Sequence, residues 1–172
     1  KGDLTVRLSK PGETLLALNE KEYTLDGEMT VICDAGGPEA LGGVMGGDVS
    51  GVSNETVDVF VESAYFDPVR TAMTGRKLGL LSDARYRFER GIDPAFLEPG
   101  MEVATRLILD LCGGEPSSLV VAGANPDGGR AIAFRPDRVK ELAGVDMSRD
   151  EILRILAVLG FTVDGDGGQW TV

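Results

Sequence analysis

The sequence predicts an α+β fold. Three observations carry that reading. Short alternating apolar segments separated by turn residues fill the first third of the chain. Aspartate-proline pairs at Asp67-Pro68 and Asp93-Pro94 then open helical patterns. A run of small, turn-forming residues at 124–129 separates these from a tail of different style.

Residues 3–8 alternate and predict a strand, and Pro11-Gly12-Glu13 predicts a turn. Residues 14–18 and 22–25 predict a short hairpin ahead of Asp26-Gly27. Residues 28–34 predict a buried strand, and residues 40–45 another one flanked by glycines. Residues 57–64 alternate, with Val57, Val59 and Val61 on one face and Asp58, Phe60 and Glu62 on the other. Asp67 is an N-cap with Pro68 at the first helical position, predicting a helix to about Lys77. Asp93-Pro94 repeats the signal. Its helix runs to Cys112, with Ala104, Leu107, Ile108 and Leu111 on one face and Gly113-Gly114 as the stop. Residues 117–122 predict a strand.

The tail predicts a strand at 131–134 and a short helix at 137–142. A capping box, Ser148-Arg149-Asp150-Glu151, then opens a helix through Leu159 that Gly160 stops. A strand begins at 161–163. Two helices and a β-ribbon outline a winged-helix-like module. The expected division is 1–125 and 126–172. The absence of an initiator Met and the apolar ending Trp170-Thr171-Val172 suggest a piece of a longer polypeptide.

The 172 residues are 42% apolar and 26% charged, a globular balance. No apolar run approaches the roughly 20 residues of a membrane-spanning helix, and a membrane partner is not expected. The net charge of −11 disfavours nucleic-acid binding by overall charge. Residues 70–90 run against this trend. Arg70, Arg76, Lys77, Arg85, Arg87 and Arg90 face only Asp83 and Glu89, a local excess of four positive charges. That segment is either a solvated face with ion pairs or a phosphate-contacting strip. The tail, with net charge −1 from residue 130 onward, lacks a basic recognition face, so DNA is not an expected partner. Its expected role is structural or as a protein contact surface. Cys33 and Cys112 sit in apolar contexts without metal-type spacing and predict two buried thiols in a reducing cytosol. There is no histidine, which excludes Ser-His-Asp and Cys-His machinery and histidine-ligated metals within these residues.

Three stretches carry candidate chemistry. Gly42-Gly43-Val44-Met45-Gly46-Gly47 is neither a Walker loop nor a dinucleotide fingerprint. It reads equally as backbone crowding or as a pocket wall that a planar ligand approaches without meeting a Cβ. Glu62 closes a mostly apolar segment. It is either a solvated carboxylate or an acceptor for a ligand hydroxyl, whose loss would cost on the order of 1–3 kcal/mol. Ser82-Asp83-Ala84-Arg85-Tyr86-Arg87-Phe88-Glu89-Arg90-Gly91 is either an ion-paired amphipathic segment or a pocket lining beside arginines that hold a polyanion.

Together these stretches, with Glu62-Ser63-Ala64-Tyr65-Phe66-Asp67-Pro68 and Ile92-Asp93-Pro94, resemble the B3/B4 editing region of the bacterial phenylalanyl-tRNA synthetase beta subunit over residues 1–125. From Phe134-Arg135-Pro136 to Gly160-Phe161 the chain resembles the start of that subunit's B5 domain. The resemblance implies a B3/B4-type mixed sheet with flanking helices, then a partial winged-helix-like B5 module. It implies a cytoplasmic α2β2 synthetase with an alpha-subunit partner and tRNA(Phe), using ATP and Mg²⁺ outside this chain, with no cofactor inside it. It implies hydrolytic editing of mischarged Tyr-tRNA(Phe), with a non-catalytic scaffold or tRNA-guiding module as the alternative. A small-molecule binding domain of an unrelated protein is a further rival.

Position by position, the resemblance assigns Glu62 to the tyrosine hydroxyl, Gly46 to the pocket wall and Ala84 to a small residue leaving room for the ring or terminal adenosine. Ser82 stands where the family has threonine. Arg85, Arg87 and Arg90 are the candidate RNA contacts. The family's histidine-bearing His-Ala-Phe-Asp stretch would lie just upstream of residue 1. No protein nucleophile or metal ligand is expected. A positioned water attacks the ester, held by backbone amides near Gly46 and the Ser82 hydroxyl, with the terminal tRNA hydroxyl available to assist.

Overall fold

The computed structural model describes residues 3–124, 126 and 129–172. The chain divides into two compact units, 1–126 and 127–172.

In the first unit, β1 (Thr5–Leu8), β4 (Thr30–Asp34), β5 (Gly37–Leu41) and β6 (Met45–Gly46) form a four-stranded sheet in the order β1-β4-β5-β6. β2 (Thr14–Leu16) and β3 (Glu22–Thr24) form a separate hairpin, with Leu15 opposite Tyr23. All these ladders are antiparallel, and the fold is α+β. Val31 and Cys33 on β4 point into a core completed by Leu15, Leu25, Met29, Leu41, Val44 and Leu80. The register shifts between Ile32, opposite Ala40, and Cys33, opposite Pro38, which leaves Glu39 as the extra residue of a bulge on β5.

Residues 40–45 are not one strand. The chain turns at Gly42-Gly43, where the Val44 amide donates to the Leu41 carbonyl at 3.0 Å, and β6 returns antiparallel along β5. Gly43 at φ +69° adopts the left-handed conformation that makes the turn.

Helix α1 (Pro68–Leu78) starts where the Asp67 carboxylate accepts from the Arg70 amide and ends at left-handed Gly79. α2 (Asp83–Phe88) is capped by Ser82. A 3₁₀ turn (Pro94–Phe96), capped by Asp93, leads into α3 (Leu97–Cys112). None of α3's described residues is buried.

Two expected strands do not form. Residues 57–64 and 117–122 alternate, but no ladder partner exists for either among the described residues. A strand satisfies its backbone only through a neighbour, so both segments are irregular and open. Val57 is 90% exposed and Val120 82%. Cys33 is buried as expected, whereas Cys112, on the last turn of α3, is exposed.

In the second unit, β7 (Ala133–Phe134) pairs antiparallel with β8 (Trp170–Thr171), and α4 (Arg138–Ala143) and α5 (Arg149–Val158) lie between them in sequence. Phe134 stacks on Trp170 with ring centroids 5.9 Å apart. Only half of the expected capping box forms. Ser148 Oγ accepts from the Glu151 amide, but the Glu151 carboxylate is bound by Arg154 at 2.7 and 2.8 Å. In place of a strand at 161–163 there is a single bridge between Asp164 and Thr171.

Candidate functional site

The glycine-rich turn separates into crowded positions and one open position. A Cβ on Gly42 would fall 2.7 Å from Phe66 Cε1. One on Gly43 would fall 3.0 Å from Phe66 and 3.1 Å from Phe88, and one on Gly47 2.5 Å from the Glu39 carbonyl oxygen. Phe66 and Phe88 meet over the turn at 5.3 Å between centroids. At Gly42, Gly43 and Gly47 the glycines therefore answer to packing. Gly46 differs. Its Cβ would meet only the Leu18 side chain, at 3.2 Å, and Leu18 is itself exposed. This is the position of the stretch where missing side-chain volume is not taken up by backbone or a core ring.

Ser82 ties this turn to α2. Its hydroxyl donates to the Val44 carbonyl at 2.5 Å and accepts from the Arg85 amide at 3.0 Å. The single hydroxyl proton is thus committed, and one lone pair is left for a further donor such as water. As an N-cap it is worth roughly 0.5–2 kcal/mol to the helix. Ala84 follows at the second position of α2 and is exposed.

Glu62 lies on the irregular segment leading to α1. Two contacts hold that segment. Ser63 Oγ donates to the Leu97 carbonyl at 2.8 Å, at the start of α3, and Phe66 packs on the glycine turn. The Glu62 carboxyl makes no hydrogen bond or ion pair among the described residues. Surrounding protein desolvates it and raises its pKa above the ordinary glutamate value of 4.5. The residue itself is exposed to water, so the carboxyl is partly shielded and not buried. It is an unpartnered acceptor.

The arginine strip divides. Arg85 is buried. It lies across Gly75 of α1, donates from Nη1 to the Leu80 carbonyl at 2.5 Å and from Nε to Glu89 at 3.0 Å. Its guanidinium faces the interior, so Arg85 leaves the set of candidate RNA contacts. Arg87 is exposed and makes no hydrogen bond or ion pair among the described residues. Arg90 is exposed, stacks over the Tyr86 ring at 3.7 Å and bonds the Tyr86 carbonyl and Glu89. Lys77 is held by Asp26 and Glu28.

The structure thus joins Ser82 to Val44, two residues before Gly46, and joins the Glu62 segment to the Gly42-Gly43 turn through Phe66. Two concavities, of about 230 and 510 Å³, lie elsewhere: one against α4 and α5, the other between α1 and the 27–29 turn. Neither is lined by Gly46, Glu62, Ser82 or Ala84. Sequence reasoning missed the buried role of Arg85. The available signal was Gly75 inside a helix, where glycine costs about 1 kcal/mol relative to alanine unless packing requires it.

The antiparallel sheet with its flanking helices defines the class as α+β. The chain belongs to the B3/4 domain family, which matches residues 1–113. Curated relatives extend the likeness through the second unit. Phenylalanine–tRNA ligase beta subunit of Paramagnetospirillum magneticum is 59% identical over 163 residues, 95% of this chain and 20% of the relative. The same subunit of Brucella abortus is 53% identical over 167 residues (97% and 21%), and that of Rhodospirillum rubrum 54% over 166 (96% and 21%). The chain spans about a fifth of the length of these relatives.

Proposed function

We propose that this chain is the editing part of a phenylalanine–tRNA ligase beta subunit, and that it hydrolyses tyrosine wrongly esterified to tRNA(Phe). The observation that carries the reading is Glu62. A carboxyl with no hydrogen-bond or ion-pair partner among the described residues, held at the edge of an apolar segment, is matched by a ligand that brings a hydroxyl donor. Tyrosine brings one where phenylalanine brings a hydrogen. A site that hydrogen-bonds a hydroxyl discriminates strongly against a ligand lacking it, whereas an apolar pocket rejects an added hydroxyl only modestly.

In the reaction, water attacks the ester carbonyl carbon, the bond to the terminal ribose oxygen breaks, and tyrosine and tRNA are released. The chain has no histidine, and Ser82 has no base beside it, so water is the nucleophile. Because the Ser82 proton is committed to Val44, Ser82 serves as an acceptor that holds a water. Oxyanion donors are therefore sought among backbone amides near Gly46. Gly46 and Ala84 leave room for the tyrosyl ring and the terminal adenosine. Arg87 and Arg90 contact phosphates locally on an otherwise acidic body. The chain works within a cytoplasmic α2β2 ligase beside the alpha subunit. ATP and Mg²⁺ serve that enzyme's charging reaction. Among the described residues no group of three or more His, Cys, Asp or Glu is placed to hold a metal ion.

The test is Glu62→Ala in the complete ligase. The expected result is loss of discrimination between Tyr-tRNA(Phe) and Phe-tRNA(Phe) in deacylation. Unchanged discrimination would remove the role assigned to Glu62.

A further inference from the structure

Arg85 and Gly75 form a packed pair that the hydrolysis does not itself use. The Arg85 stem crosses α1 where Gly75 has no side chain. A Cβ there would lie 2.3 Å from both Cδ and Nε and 2.7 Å from Cζ. From this crossing Arg85 reaches two fixed points. Nη1 satisfies the carbonyl of Leu80, a core residue on the α1–α2 connection, and Nε holds Glu89 beyond the end of α2. The Arg85 backbone amide meets Ser82 Oγ, which meets the Val44 carbonyl, two residues before Gly46. One residue therefore clasps the connection, the start of α2 and, through Ser82, the glycine turn.

We infer that Arg85, seated on Gly75, is a positioning residue for the editing site: it fixes Ser82 and Ala84 against the Gly46 turn without touching substrate. The inference rests on the proposed editing reaction. It also accounts for a buried arginine in a strip whose other arginines face water, and for a glycine in the interior of α1.

Alanine at 75 would push the stem out by about 1 Å to reach ordinary contact. Displacements of that size at a supporting residue cost on the order of 10- to 100-fold in rate. Only a side chain must move, so the fold tolerates the change while the guanidinium loses its two anchors. Arg85→Met keeps the stem and removes the hydrogen bonds. Arg85→Lys keeps one donor and recovers part of the function.

The experiment measures Tyr-tRNA(Phe) deacylation and phenylalanine charging by the complete ligase carrying Gly75→Ala, Arg85→Met, Arg85→Lys and the Gly75→Ala/Arg85→Met pair. The expected result is a 10- to 100-fold fall in kcat for deacylation in Gly75→Ala and Arg85→Met. KM and charging stay within twofold, Arg85→Lys is intermediate, and the pair is no worse than its worse member. Should Gly75→Ala not fold, Arg85→Met and Arg85→Lys, which introduce no clash, carry the test. Wild-type kcat for deacylation in Arg85→Met overturns the inference and leaves the editing reading standing. A parallel loss of charging, or a rise in KM at constant kcat, also overturns it. A wild-type ligase that does not deacylate Tyr-tRNA(Phe) overturns the editing reading and this inference with it.

Discussion

Alanine at Gly43 and alanine at Gly46 should behave as opposites although the two glycines are three residues apart. Gly43 sits at φ +69°, where an L-residue costs about 1–2 kcal/mol. Its new methyl would also press on Phe66 at 3.0 Å and Phe88 at 3.1 Å. Both rings are packed on the turn, and overpacking of this kind adds about 1–3 kcal/mol. The sum is about 2–5 kcal/mol. At 2–4 °C per kcal/mol for a chain of this size, Tm falls by roughly 4–20 °C. Gly46 has no positive φ, and its methyl meets only the exposed Leu18 side chain, so its change should stay within about 0.5 kcal/mol. Calorimetric unfolding of the 172-residue chain measures both. Trp170, the one tryptophan and a buried one, marks the second unit's transition separately. Equal losses from the two substitutions would refute the division of this turn into crowded and open positions.

Glu62→Gln should leave Tm at neutral pH unchanged or raised, checked by thermal melts. Folding raises this carboxyl's pKa, so its ionised form is the disfavoured one, and its relative contribution to stability is lost as pH rises through the folded value. In the complete ligase, tyrosine selectivity should decline as pH falls through a value above 4.5, because protonation replaces the charged acceptor by a neutral carboxyl that accepts more weakly; a pH series of deacylation rates checks this. Glu13 has the opposite sign. Arg7, at 2.7 and 2.9 Å, and the Lys10 amide hold its pKa down to about 2. Its stabilisation is complete above 4.5 and fades as pH falls toward 2, so the Tm gap between wild type and Glu13→Gln should close over that window. Cys112 should react with a thiol reagent in the native protein and Cys33 only after unfolding, as a titration with and without denaturant would show.

Local chemistry was legible in the sequence. Asp67-Pro68 and Ser148 announced helix starts that the structure realises with side-chain caps. The apolar run Val31-Ile32-Cys33 announced the core strand. What depends on a distant partner was not legible. Residues 57–64 and 117–122 carry strand patterns, but a pattern does not supply the neighbouring strand. Residues 40–45 read as continuous because the turn at Gly42-Gly43 is set by two phenylalanines, one of them 45 residues further on. At the site, the candidate residues were visible as types. Their division was not: the sequence shows Arg85 and Arg87 as equivalent charges. Only the crossing at Gly75 buries one and leaves the other facing water.

The most direct measurement is the rate at which the complete wild-type ligase releases tyrosine from Tyr-tRNA(Phe), with Phe-tRNA(Phe) as the control. Rapid loss of tyrosine beside slow loss of phenylalanine is the predicted result. Equal, slow loss of both would contradict the editing assignment and leave these residues a scaffold.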